Sequence, residues 1–60
     1  MLTTLPNDPV LLLSFLNTQL RDFYPNLDEL CKAFMVDKDA ILTKLDAIDY
    51  HYDETQNRFI

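Results

Sequence analysis

The chain contains no glycine, so any backbone position that turns left-handed must carry a side chain. Asparagine and aspartate tolerate that conformation best after glycine. Asp49 and Asn57 are the residues placed to do so. The same absence removes the glycine-rich loops that cradle phosphates. A single cysteine, Cys31, excludes an intramolecular disulfide. Cys31 and the lone histidine, His51, are too few for a zinc site. No metal, cofactor or small-molecule substrate is therefore expected. Apolar runs are short: none is longer than that of Val10 to Leu13, which falls far below the roughly 20 residues of a membrane span. Met1 to Pro6 lacks a basic region followed by an apolar run and a small-residue cleavage site. The expectation is a reduced, cytoplasmic protein that does not enter membranes. Cations are also scarce. Five lysines and arginines against ten acids leave a net charge of −5, which repels phosphate backbones and anionic lipids.

What is present suits one small folded domain spanning residues 1–60. Hydrophobic residues make up 48% of the chain, enough to disfavour intrinsic disorder despite the charge. At 60 residues a single core rarely supplies more than about 3–5 kcal/mol. With no staple available, stability must come from packing, with self-association as one way to add to it.

Punctuation divides the chain into three helices. Residues 1–5 read as an arm. Asp8 is a suitable N-cap and Pro9 suits the first helical position, so a first helix is predicted over 9–22. Leu12, Leu13, Leu16, Leu20 and Phe23 fall on one face of it, and Ser14, Asn17, Thr18 and Arg21 on the other. Pro25 ends it. Asn26 and Glu29 form a capping box for a second helix over 27–34, whose buried stripe is Leu27, Leu30, Cys31 and Phe34. Met35-Val36-Asp37 is a tight connection, with Asp37 as the next N-cap. A third helix is predicted over 38–48, with Ile41, Leu42, Leu45 and Ile48 inward.

Residues 50–60 read as a β-hairpin. Tyr50-His51-Tyr52 alternates and is β-favourable, and Arg58-Phe59-Ile60 can return beside it. A four-residue turn between Asp53 and Arg58 ends on Asn57. That register sets Tyr52 opposite Phe59, with Tyr50 on the same face, and Asp53 opposite Arg58 as a charge pair. An isolated hairpin is marginal in water, so this aromatic face must pack on the helices. The fold class is mainly α (α+β): three short helices, the second and third helix-turn-helix-like, closed by a C-terminal β-hairpin wing.

Two resemblances follow from these residues. From Leu27 to Ile60, the run Leu27-Asp28-Glu29-Leu30-Cys31-Lys32-Ala33-Phe34, the turn Met35-Val36-Asp37, then Ala40-Ile41-Leu42, Leu45 and Ile48 resemble the back half of a winged helix-turn-helix domain. Asp49-Tyr50 would start the wing. Second, Leu5-Pro6-Asn7-Asp8-Pro9-Val10, Leu12-Leu13-Ser14-Phe15, Asn17-Thr18 and Leu20-Arg21-Asp22-Phe23-Tyr24 carry a likeness over nearly the whole chain. It continues through Leu27-Asp28-Glu29-Leu30-Cys31, Tyr50 to Asp53 and Asn57. On these residues the chain is similar to a family of short acidic bacterial proteins described as a domain of unknown function. The resemblance implies a compact, free-standing bacterial protein and carries no activity, so no functional residue transfers. Members usually have glycine at the position of Asp49, which implies a strained junction between third helix and wing here.

The helix-turn-helix likeness suggests nucleic-acid binding, in which the third helix would enter the major groove. Its contacts would be Lys38, Thr43 and Lys44, with Arg58 from the wing. The exposed face of that helix also carries Asp39 and Asp46, and the basic footprint such binding requires is missing. Catalysis has less support: no nucleophile–base pair or metal cluster stands at a recognisable spacing, and the expectation is no enzyme. Cys31 on a buried stripe behaves as a small hydrophobe. His51, on the outward side of the hairpin beside Asp53, is an ordinary surface histidine. A protein-interaction or self-associating surface is favoured. Leu11 and Phe15, four residues apart, project about 100° or more from the centre of the core stripe, and Val10 points elsewhere again. Unless the arm (Leu2, Leu5) or the wing covers them, Val10, Leu11, Phe15 and Tyr24 are the candidate contacts for a protein partner or a second copy.

Overall fold

Two of the three helices start where a polar side chain meets a free N–H of the first turn. The computed structural model describes residues 5–60. Helix α1 spans Pro9–Asp22, and the Asp8 carboxylate accepts from the Leu11 N–H at 3.1 Å. Helix α2 spans Leu27–Phe34, and Asn26 Oδ1 accepts from the Glu29 N–H at 2.8 Å. Only half of the expected capping box forms, because the Glu29 carboxylate turns outward to Lys32 at 3.6 Å. Helix α3 spans Lys38–Asp46. Asp37 stands at its N-cap without a side-chain capping bond.

The third helix ends two residues before the expected Ile48. The Ile48 N–H reaches back only three residues, to Leu45 O, and the turn tightens. The Asp49 N–H then bonds Asp46 O and the Tyr50 N–H bonds Leu45 O. This is the paired closure that requires a left-handed residue, and Asp49 supplies it with φ 64°. Helix α2 closes the same way: Met35 donates to Lys32 O and Val36 to Cys31 O, with Met35 at φ 57°. The sequence did not indicate this third left-handed residue. Asn57, at φ 54°, is the other expected one.

Strands β1 (Tyr52–Asp53) and β2 (Arg58–Phe59) pair antiparallel, Tyr52 with Phe59 and Asp53 with Arg58, as the sequence predicts. Backbone bonds between His51 and Ile60 in both directions, each 2.9 Å, extend the ladder by one pair. The expected Asp53–Arg58 ion pair is not formed. The Asp53 carboxylate instead accepts from the Thr55 N–H at 3.1 Å and the Gln56 amide at 2.9 Å, bracing the turn.

The core joins all three helices to the hairpin. Leu12, Leu16 and Leu20 of α1, Leu27, Leu30 and Cys31 of α2, Ile41 and Leu45 of α3 and Phe59 of β2 are buried. Phe59 is fully enclosed and meets Tyr52 with ring centroids 5.5 Å apart. Phe23 departs from its expected place on the core face and is 69% exposed, because the chain leaves the helix at that residue. Tyr50 lies at the edge rather than inside and is 38% exposed. Of the expected arm, Leu5 packs partly against the core; residues 1–4 fall outside the described residues.

Two asparagines sew the hairpin to α1. Asn17, expected on the solvent face, is half-buried: its amide donates to Phe59 O at 3.2 Å and its Oδ1 accepts from the Phe59 N–H at 2.8 Å. It thereby occupies the hydrogen-bonding edge of β2. The Asn57 amide donates to Leu20 O and to Tyr24 O, each at 3.0 Å, capping carbonyls at the end of α1. Its Oδ1 accepts from the Tyr52 hydroxyl at 2.6 Å, and that hydroxyl oxygen accepts from the Leu27 N–H at 3.2 Å. One short network thus satisfies the end of α1, the start of α2 and the turn of the hairpin.

Candidate functional site

The first candidate surface lies on α1. Val10 and Leu11 begin the helix on opposite flanks of the buried stripe and are each 61% exposed. Consecutive helical residues diverge by about 100°, so the two do not form one contiguous face by themselves. Phe15, one turn beyond Leu11, is half-buried. The Phe34 ring of α2 meets it edge-on, with centroids 5.7 Å apart; Leu2 of the expected arm lies outside the described residues. Tyr24 also meets Phe34, with centroids 5.9 Å apart. Phe15 and Tyr24 are thus brought together through Phe34, a residue read from sequence only as core. Leu11 stands exposed a turn away, and Val10 faces the hairpin side beside Leu13.

The second candidate surface is α3 with the wing. Lys38 Nζ lies 2.8 Å from Asp28 Oδ1, which ties the start of α3 to the first turn of α2. The pair shifts both groups toward their charged forms. Asp28 is held below the ordinary carboxylate value by the hydrogen bond and charge of Lys38, and Lys38 is raised by the hydrogen bond it donates to Asp28. The Lys44 ammonium donates to Asn7 O at 3.3 Å, clipping α3 to the segment before α1. Thr43 is exposed and free of such a bond among the described residues. Arg58 does not join these three. It lines a different groove, between α1 and the hairpin turn, together with Arg21. Arg21 is itself engaged by Asp22 at 2.9 Å, which raises the guanidinium and lowers the carboxylate. Two of the four candidate nucleic-acid contacts therefore hold the fold together, and Asp39 and Asp46 share the exposed face of α3.

The remaining reactive types fall as follows. Cys31 is buried, and desolvation, followed by the charge of Asp28, pushes its thiol upward and keeps it protonated. His51 turns from Asp53 to Asp46, with Nδ1 3.3 Å from Oδ1. Among the described residues no group of three or more histidines, cysteines or acids is placed to hold a metal ion. No described helix is long and apolar enough to cross a membrane. Sequence reading did not foresee a groove between α3 and β1, lined by Lys38, Leu42, Thr43, Asp46, Tyr52 and Glu54 among others. Only the turn at Asp49, which folds β1 back beside α3, creates it.

A family model described as "Domain of unknown function (DUF4250)" matches residues 6–59. No curated protein and no solved structure matches the chain.

Proposed function

The chain belongs to the DUF4250 family, a domain of unknown function, and from that premise we propose that it is a small protein-interaction or self-associating module without catalytic activity. The observation that carries this reading is the exposure of Val10 and Leu11, 61% each, on a helix whose core stripe is already complete. Single exposed apolar residues are ordinary. Here they sit at the start of α1, and Leu11 is backed by the half-buried ring of Phe15 and its neighbour Phe34. Aromatic and aliphatic anchors of this kind dominate protein contacts. A second copy is the simplest partner, meeting α1 against α1 across a two-fold axis.

Sedimentation velocity over a range of concentrations tests this. The wild-type chain should show a mass that rises with concentration, and Leu11→Asp should remain monomeric with an unchanged helical circular-dichroism spectrum. Leu11 is a cleaner probe than Phe15, because Phe15 also packs against Phe34. A wild-type chain that stays monomeric at millimolar concentration contradicts the self-associating form.

Nucleic-acid binding through Lys38, Thr43, Lys44 and Arg58 is the second reading, prompted by the exposed Thr43 and Arg58. Lys38 and Lys44 have other partners, and the acids of α3 oppose phosphate. Fluorescence anisotropy with mixed duplex DNA at low salt should detect no micromolar binding. Salt-sensitive binding weakened by Lys44→Glu would favour this second reading.

A further inference from the structure

We infer that the open edge of β1 is a docking site for an extended, basic segment of a partner protein, which adds as a third strand in the groove between that edge and α3. The inference does not rest on the α1 surface. In an antiparallel ladder, hydrogen-bonded and non-hydrogen-bonded pairs alternate. His51 and Ile60 exchange both bonds, so the next pair, Tyr52 and Phe59, points its N–H and C=O groups away from the hairpin on both sides. The Phe59 side confirms the alternation, because Asn17 takes both of its groups. β2 is therefore closed at Phe59, and the corresponding groups of Tyr52 have no such cover among the described residues.

That edge faces α3, since the Tyr50 N–H, on the same side as Tyr52, bonds Leu45 O. Leu42 and Tyr50 give the groove beside it apolar surface, and Asp46 and Glu54 supply negative charge. Lys38, also on its wall, is matched by Asp28 at 2.8 Å. His51 also lines the groove, with Nδ1 3.3 Å from Asp46 Oδ1, and two carboxylates against one lysine leave the wall net negative, so a basic strand is its complement. Proteins commonly guard an open edge with lysine or proline. The run Tyr50-His51-Tyr52-Asp53 carries neither. Strand addition takes affinity from main-chain bonds and specificity from alternate side chains. With one residue of open ladder, the acids must contribute much of the recognition.

The test uses the full chain and a fluorescein-labelled hexapeptide alternating lysine and valine. Binding should slow hydrogen exchange of the Tyr52 amide and shift its NMR resonance. A matched peptide with glutamate for lysine should bind about tenfold more weakly or worse, as should the lysine peptide on the Asp46→Lys, Glu54→Lys variant. Methylating the peptide amides that face the edge should abolish protection of Tyr52. Leu11→Asp should leave peptide binding unchanged, which separates this surface from α1. A Tyr52 amide unmoved by about 1 mM peptide, the weak limit of a specific contact, would overturn the inference. Equal binding of the methylated peptide would also overturn it, by showing charge attraction without strand pairing.

Discussion

Asn57 and Asp49 share a left-handed backbone, with φ of 54° and 64°, yet replacing each with glycine should move stability in opposite directions. At Asp49 the side chain makes no hydrogen bond or ion pair among the described residues, and it places a negative charge at the C-terminal end of α3. Glycine relieves the steric penalty of the left-handed region, which reaches about 1–2 kcal/mol for an ordinary residue. It also removes an unfavourable charge–dipole contact of about 0.3–1 kcal/mol. The greater freedom of glycine in the unfolded chain offsets about 0.4–1 kcal/mol of this. Asp49→Gly should therefore stabilise by about 0.3–2.6 kcal/mol, toward the lower end because aspartate tolerates the left-handed region better than an ordinary residue. At Asn57 the same exchange removes two bonds donated to Leu20 O and Tyr24 O and the one accepted from Tyr52. Each is worth about 0.5–1.5 kcal/mol net, and the partners left behind are partly buried. Asn57→Gly should destabilise by about 2–4 kcal/mol, most of the about 3–5 kcal/mol available to a core of this size. Urea denaturation followed by circular dichroism reads both as shifts of midpoint at constant slope. The two variants moving in the same direction would refute the network drawn around Asn57, the strain at Asp49, or both.

Further outcomes follow from the same contacts. Met35 is 87% exposed at φ 57°, so Met35→Gly loses little packing and should raise stability by about 1 kcal/mol in the same urea assay. Asn17→Ala should lower it by about 1–3 kcal/mol and speed exchange of the Phe59 amide, which would lose its acceptor. The Asp28–Lys38 pair sets a pH window. The folded value of Asp28 lies below its ordinary 3.8, so its contribution is complete above that value and is lost as pH falls through the folded one. The folded value of Lys38 lies above its ordinary 10.5, so its contribution is complete below that value and is lost as pH rises through the folded one. Thermal melts across pH should show Asp28→Asn weakening the acid limb while the wild-type plateau lies between these ends.

Most of the architecture was legible in the sequence because local chemistry and global packing agree. Asp8-Pro9 and Asn26 mark the helix starts, and the leucine spacings mark their buried faces. The glycine-free composition pointed to Asp49 and Asn57, and the pairing of Tyr52 with Phe59 followed from alternation. Met35 carries no such mark, because methionine has no preference for a left-handed backbone; only the short break between Phe34 and Asp37 indicates a turn there. Periodicity puts Asn17 on the solvent face because it records polarity and not partners. Its role depends on Phe59, forty-two residues away along the chain. The candidate sites were less legible still. That Phe34 meets Phe15, that Asp28 and Asn7 engage Lys38 and Lys44, and that Arg58 lies apart from both lysines are all tertiary facts. The groove beside β1 has no local signature either, since its two walls meet only after the chain reverses at Asp49.

Every surface described above depends on the last eleven residues being an integral wall of the core. Native-state hydrogen exchange at the Phe59 amide measures this directly. The residue is fully enclosed and its N–H donates to Asn17 at 2.8 Å. Its exchange should require unfolding of the whole domain, with an opening free energy equal to that from urea denaturation. Exchange through a local opening of much lower free energy, while amides within α1 stay protected, would show a detachable hairpin and contradict the fold on which both surfaces stand.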